Sequence, residues 1–454
     1  MAMVVKNNMS ALSTLNTLNK NTNALSKSLQ KVSSGMKINS AADDASGYAI
    51  SERMRVQIRS LDQANSNAQN GGSMMKVAEG AVSSTVEILK TLKEKAVNAA
   101  NDTNTDADRA TIQKELDQSI DQINDNANVT FNGQYLVDGS KNKQTTATTT
   151  VMANQSLDAG TNSTTGMTAL KARNGDKLNI HSTDTITVSY VQDGKTHTSS
   201  LKLDGTTTGT INDTTKMTLG DIISNLTAGK VLIDNGNGAA AGATKGATSF
   251  IGVDGSGNSV YTASGESAIS ISATDSGIDN QISGFTISVT DNTGAVNKSA
   301  NAALDAFEEQ IRAQNKSVDN SIVMQVGTKA NQSIKVGLTD MKAQALGLQG
   351  KDGSTLSVGN QDKANAAINV LDAAIQKALD QQTTIGAVES RLEYTQSNLT
   401  TASENVTAAE SVIRDADKAK EMTEYTKNNV LMQAAQSMLA QANQSSSNVL
   451  SLLQ

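Results

Sequence analysis

Asn428–Gln454, NNVLMQAAQSMLAQANQSSSNVLSLLQ, is a stretch without a single charged side chain. Its apolar positions Met432, Ala435, Leu439, Ala442, Val449 and Leu453 recur at alternating three- and four-residue steps, with Ser446 in the same row, so the stretch predicts a helix with one apolar stripe. The remaining face carries Gln, Asn and Ser. An amphipathic helix in water ordinarily places charges there. Burying an ion costs several kcal/mol unless it is paired, whereas neighbours can satisfy an amide or hydroxyl. Such a helix is therefore suited to being surrounded by protein. Residues 1–42 share part of this character, with five Lys and no Asp or Glu. Two readings follow: a poorly solvated terminal helix in an ordinary bundle, or chain ends buried by neighbouring subunits. The second makes Leu15, Leu18, Leu25, Leu29, Val32, Met432, Leu439, Val449, Leu450 and Leu453 the candidate assembly residues. Burying each Leu or Val contributes roughly 1.5–3 kcal/mol. Left in water, stripes of that size imply disordered ends or aggregation.

Working inward, the same periodicity continues. Ala11, Leu15, Leu18, Leu25, Leu29, Val32 and Met36 form a row broken only by Thr22. After a turn-like stretch at 39–47, a second row runs from Ile50 to Ala99 through Met54, Leu61, Ala64, Ala68, Met75, Ala78, Val82, Leu89, Leu92 and Ala96, with Gln57, Gly71 and Thr85 as interruptions and possible kinks. A third runs from Ala364 to Ala416 through Leu371, Ala378, Ile385, Leu392, Leu399, Val406 and Ile413, with Gln381 and Thr395 in phase. Rows of about 50 residues predict helices of ~75 Å. The simplest way to bury them is against each other, with chain ends together and the middle hanging off. Ile112, Leu116, Ile120 and Ile123 predict a shorter helix completing the bundle.

Composition agrees. The 454 residues include no Trp, Pro or Cys, four Phe and six Tyr. An aromatic-poor, Ala- and Leu-rich chain without proline suits long, closely packed helices. Zero cysteines exclude a disulfide framework and thiolate chemistry. A net charge of −7 and a pI near 5.1 argue against a nucleic-acid partner. No apolar run is long enough for membrane insertion. MAMVVKNNMSALSTLN lacks the layout of a cleavable signal peptide, which alone makes cytoplasmic residence the default.

The Thr/Ser/Gly-rich middle reads differently. Ile186, Val188 and Tyr190 alternate ahead of Asp193-Gly194, a hairpin turn, and Leu201/Leu203 follow. Phe285, Ile287 and Val289 predict a further strand. Ile322/Met324/Val326 and Ile334/Val336/Leu338 predict a hairpin before the last long helices. The fold class expected is mainly α with β: a long antiparallel coiled-coil or helical bundle of the N- and C-terminal regions, with a β-hairpin and a β-rich central insert.

Several long segments, in order, resemble bacterial flagellins: SSGMKINSAADDASGYAI (Ser33–Ile50), VTFNGQYLVDGS (Val129–Ser140), MQVGTKANQSIKVGL (Met324–Leu338), RDADKAKE (Arg414–Glu421) and the C-terminal Leu431–Gln454. The similar regions cover nearly all of residues 1–140 and about 320–454. The resemblance implies a filament subunit whose terminal helices, 1–46 and 417–454, form the inner core. Residues 47–140 and 301–416 would form a helical domain with the hairpin near 322–338. Residues 141–300 would be the variable, surface-exposed β-rich domain. It also implies a homopolymer, an extracellular destination reached by type III export without a cleaved signal peptide, an export chaperone, and filament cap and junction proteins as partners. One departure stands out. Where the family helix motif recognised by Toll-like receptor 5 resembles LQRVRELAVQ, this chain has LKTLKEKAVN (Leu89–Asn98), with Thr91 in place of the Arg and Lys95 in place of the Leu. Glu115 matches the family's acidic contact. Lost bidentate hydrogen bonds and a Lys in an apolar pocket imply weakened receptor binding.

No catalytic constellation is visible. His181 and His197 belong to no HExxH zinc motif, the glycine pairs are turn or hinge material, and Asp43-Asp44 read as cap or turn residues. Arg414, Asp415 and Asp417 are expected to make interhelical polar contacts, and Tyr48 to pack. No enzyme activity, cofactor or metal is expected. The alternatives are a hook–filament junction protein of the same axial family, or a coiled-coil surface adhesin or scaffold.

Overall fold

The computed structural model describes residues 8–203, 218–234, 249–263, 265 and 267–452. They fall into two compact units, one built from residues up to 69, 325–333 and 393 onward, the other from 70–324 and 334–392. Helix α1 (Met9–Ser34) is followed by α2 (Ala45–Ala99) and α3 (Asp106–Ala127), then by the two-residue strands β1 (Thr130–Phe131) and β2 (Gln134–Tyr135). The middle of the chain supplies β3 (Val151–Asn154), β4 (Thr185–Gln192), β5 (Lys195–Lys202), α4 (Leu219–Leu226), β6 (Val231–Asp234), β7 (Phe250–Val253), β8 (Ser259–Tyr261), β9 (Ile269–Ala273) and β10 (Ile282–Thr290). Then come α5 (Lys298–Leu304), β11 (Phe307–Ile311), β12 (Ile322–Gln325), β13 (Ser333–Val336), α6 (Gln361–Arg414) and α7 (Lys418–Leu452).

Short polar side chains start the helices. Asn8 accepts from Ala11 N at the head of α1, and Asp44 Oδ1 accepts from Ser46 N and Gly47 N at the head of α2. Thr105 and Asp108 form a reciprocal capping box on α3, as Thr218 and Asp221 do on α4. Gly35 ends α1 in the left-handed conformation, φ 73°, returning its N–H to Lys31 O. The interruptions at Gln57, Gly71 and Thr85 do not break α2. Thr85 is buried and returns its hydroxyl to Ala81 O at 3.0 Å, which satisfies it within the helix. At Gly71 an added Cβ would collide with the Met324 side chain, so glycine there admits the neighbour.

In the second unit the expected rows are buried: Met75, Ala78, Val82, Leu89, Leu92 and Ala96 on α2, Leu116, Ile120 and Ile123 on α3, and Leu371, Ala374, Ala378 and Ile385 on α6. Ion pairs Lys76–Glu389, at 3.5 Å, and Lys93–Asp372 show that α2 and α6 run antiparallel. The β-rich part holds a three-stranded sheet, order β10-β4-β5, and a four-stranded sheet, order β11-β3-β9-β6. Side chains of both, with α4 and α5, share one core that includes Phe285, Ile287, Val289, Ile186, Ile222 and Leu304. Asp193 (φ 52°) and Gly194 (φ 71°) make the tight β4–β5 turn that the sequence predicts. The sheet takes in β11, beyond the expected limit of the insert at residue 300, because β11 pairs antiparallel with β3.

Candidate subunit-assembly surface

Helices α1 and α7 lie antiparallel. Asn8 Nδ2 donates to Ala442 O at 3.2 Å, Asn21 Nδ2 to Leu431 O at 3.2 Å, and Asn428 Nδ2 to Ser28 Oγ at 3.1 Å. Lys31 closes the series with Glu421 at 3.8 Å. Amide and hydroxyl contacts therefore recur along the seam, interleaved with half-buried or buried apolar residues of the marked rows, Leu18, Leu25 and Val32 on α1 and Met432, Ala435 and Leu439 on α7. Ser28 is the buried residue of α1, whereas Leu18, Leu25 and Val32 are half-buried and Leu15 and Leu29 are 41% and 52% exposed. On α7, Met432 and Leu439 are half-buried, Ala435 is buried, and Leu431 and Met438 are exposed. Val449 and Leu450 lie on the helix with side chains outside the description, and Leu453 lies outside the described residues. On α7 the less exposed positions Met432, Ala435, Leu439 and Ala442 are the row that the sequence marks, whereas on α1 that row splits, with Ala11, Leu18, Leu25 and Val32 half-buried and Leu15 and Leu29 exposed. Asn21 and Asn428 at the seam carry no hydrophobic signal, so periodicity does not mark them.

The two segments that carry the strongest resemblance meet each other. Lys37 N donates to Arg414 O at 2.7 Å, Ala416 N donates to Gly35 O at 2.9 Å, and Met36 and Asp415 form an antiparallel bridge. The Arg414 side chain is buried. Its Nη1 donates to Glu52 Oε1 at 2.6 Å, and its guanidinium lies 5.4 Å from the Tyr48 ring centroid. That hydrogen bond holds the Glu52 carboxyl below its ordinary pKa. Of the three charged residues expected to make interhelical contacts, only Arg414 does. Asp415, just past the end of α6, accepts from Ser411 Oγ on that helix, and Asp417 caps α7 through Ala419 N and Lys420 N. Asp43 behaves as a turn residue, its Oδ2 accepting from Asn39 N and Ser40 N, which lowers its pKa.

In the second unit, Lys95 Nζ pairs with Glu115 Oε1 at 3.0 Å, and Thr91 returns its hydroxyl to Glu87 O. Lys95 and Glu115 thus form an ion pair between α2 and α3. His197 stacks on Tyr190, and His181 donates its backbone N–H to Asp184. Among the described residues no group of three or more His, Cys, Asp or Glu is placed to hold a metal, and no helix is long and apolar enough to cross a membrane.

Residues 5–142 match the family model for the bacterial flagellin N-terminal helical region, and residues 368–453 the C-terminal one. A flagellin of Clostridium tyrobutyricum is 35% identical over 449 residues, covering 97% of this chain and 99% of that one. The chain belongs to the bacterial flagellin family. A flagellin of Bacillus subtilis (strain 168) is 30% identical, covering 99% and 100%, and a flagellar filament 33 kDa core protein of Treponema phagedenis is 27% identical with the same coverage. Among solved structures, the flagellar junction protein of Legionella pneumophila superposes at a TM-score of 0.33 and 14% identity over 80% of this chain and 99% of that one, too loosely to bear on the fold. As a flagellin, the chain is a structural subunit of the flagellar filament.

Proposed function

We propose that this flagellin polymerises through its paired ends, residues 1–46 and 417–454, which take the innermost position, with 47–140 and 301–416 as the helical domain and 141–300 as the outward β-rich domain. The observation that carries this is the exposed apolar row on the α1–α7 pair: Leu12, Leu15, Leu29, Val430, Leu431 and Met438, on helices with few charges. Each is about half exposed, so covering all six contributes roughly 5–9 kcal/mol per subunit before the cost of ordering. Neutral amides on the remaining face let neighbours close around the pair without stranding ions. The decisive experiment seeds purified monomer with filament fragments and follows elongation by electron microscopy. Chain lacking 428–454 is expected not to extend the seeds. Normal extension by the truncated chain overturns the reading.

By family analogy the partners include an export chaperone and the filament cap and junction proteins. The route is type III export without a cleaved signal peptide, to an extracellular filament without catalytic activity. The Lys95–Glu115 pair supports weakened Toll-like receptor 5 activation, since the acidic contact is already occupied. Thr91→Arg with Lys95→Leu is expected to raise the signal of purified monomer in a reporter-cell assay. Equal signals from the original and doubly substituted chains refute this.

A further inference from the structure

The chain has no cysteine, so its 15 methionine thioethers are the only sulfur that an oxidant meets. Their exposure is sharply divided. Met75, Met152, Met167, Met324 and Met341 are buried, at 7% or less, and Met36, Met54, Met74 and Met432 are half-buried. The methionines exposed among the described residues are Met9, at 68%, Met422, at 46%, and Met438, at 63%. All three lie on α1 or α7. Met1, Met3 and Met217 lie outside the described residues.

Met438 follows Leu431 by seven residues, close to two helical turns, so the two share one outward row of α7. Met9 sits at the same end of the helix pair, because the Asn8–Ala442 hydrogen bond brings the start of α1 beside the turn that follows Met438. A thioether is apolar and flexible, and it can be enclosed as leucine can. A sulfoxide is polar, and its oxygen is an acceptor that must find a donor when water is excluded. We propose that Met9, Met422 and Met438 are the peroxide-modification sites of the unassembled subunit, and that their conversion to sulfoxides hinders addition of that subunit to a filament end. In the reaction a sulfur lone pair attacks one oxygen of hydrogen peroxide. The S–O bond forms as the O–O bond breaks, and the proton moves to the departing oxygen, which leaves as water. Sulfur is oxidised and the peroxide reduced. Within a filament the same thioethers are enclosed and spared, a consequence that rests on polymerisation through the paired ends.

The test treats full-length monomer with hydrogen peroxide, stops the reaction with catalase and locates added oxygen by peptide mass spectrometry. Met9, Met422 and Met438 are expected to gain oxygen before Met75, Met152, Met167, Met324 and Met341. Uptake without that order overturns the assignment. Treated monomer is then supplied to untreated filament seeds and followed by electron microscopy. Elongation is expected to fall about tenfold, and to recover when methionine sulfoxide reductases with a thiol reductant remove the oxygen. The combined change Met9→Leu, Met422→Leu and Met438→Leu keeps apolar volume, so that chain is expected to elongate seeds normally both before and after peroxide. Unchanged elongation by the treated original chain, or an equal loss in the treated leucine variant, overturns the proposal. If the leucine variant assembles poorly without peroxide, the reductase rescue decides, since it needs no substitution. Assembled filament given the same peroxide is expected to keep the three methionines reduced, and oxidation there at the rate of the monomer refutes their enclosure. These outcomes are read on the full-length chain after treatment, so they are distinct from the untreated truncation that tests assembly itself.

Discussion

The ion pair Lys377–Glu309 offers a stringent test of how the β-rich part is held to the helices within the second unit. Lys377 sits on α6 one turn from the buried Ala374 and Gln381, with its side chain 6% exposed, and Glu309 on β11 is 9% exposed. Nζ lies 3.2 Å from Glu309 Oε1 and 3.4 Å from Gln281 Oε1. Removing one member of a buried pair strands the other charge, at a cost of about 3–5 kcal/mol, whereas replacing both with apolar side chains of similar volume is often neutral or stabilising. Lys377→Met should therefore destabilise the second unit by about 3–5 kcal/mol, and Glu309→Leu by a similar amount. The double variant should recover most of that loss. At roughly 2–4 °C per kcal/mol for a unit of this size, each single change lowers the melting temperature by about 6–20 °C. Differential scanning calorimetry of monomer gives the whole cycle, and the coupling between the substitutions is the quantity sought. Single losses below about 1 kcal/mol, or strict additivity in the double variant, would refute the claim that the pair is desolvated and mutually dependent.

Burial pushes Asp305 up to about 6 from 3.8, against a hydrogen bond from Ile287 N that lowers it. The native state holds that proton more tightly than the unfolded chain, so stability is greatest below about pH 4 and is lost as pH rises through about 6, by roughly 2–3 kcal/mol. Asp305→Asn should be more stable than the original chain at pH 7 and equal to it near pH 4; melts at both pH values measure this. Arg414→Lys keeps the charge but loses the planar guanidinium over Tyr48, and should loosen the turn at 36–44 by about 1–2 kcal/mol, read as faster amide exchange there. Gly284→Ala places a Cβ on a φ of +60° against Ala366 O and Val370, and should destabilise by more than 1 kcal/mol in the same calorimetric assay.

Long helices were legible because their signal is redundant. The row from Leu61 to Ala99 repeats the same periodicity over many turns, so Thr85 in phase could be tolerated, and its hydroxyl is satisfied by the helix itself. The β4–β5 hairpin was legible because Asp193-Gly194 fits a turn requiring two positive φ values. The extension of the sheet to β11 was not, since Phe307–Ile311 (FEEQI) has charges in its middle and pairs with a strand far away in sequence. Nor was the burial of Lys377, which periodicity assigns no special place and which only a partner on β11 makes tenable. Capping by Asp417 looks like interhelical chemistry in sequence because a carboxylate beside an arginine suggests pairing before it suggests an N-cap.

The division of the α1 leucine row between half-buried Leu18 and Leu25 and exposed Leu15 and Leu29 bears on why the chain ends are built as they are. If Leu15 and Leu29 met α7 directly, the pair would complete its own apolar burial and have little left for neighbours. Instead, Asn8, Asn21 and Asn428 hydrogen-bond across the pair beside the half-buried Leu18, Leu25, Met432 and Leu439, each bond contributing only about 0.5–1.5 kcal/mol net. Leu15, Leu29, Leu431 and Met438 stay outward, where covering each contributes as much or more. Under the proposed assembly, the apolar area left outward is covered only on association. Charged residues in place of those asparagines would strengthen solvation of the isolated pair and raise the cost of enclosing it, which opposes assembly at both steps. Under the proposed assembly, the uncharged stretch from Asn428 onward answers a single requirement: the same surfaces must be tolerable in water before polymerisation and enclosed by protein after it.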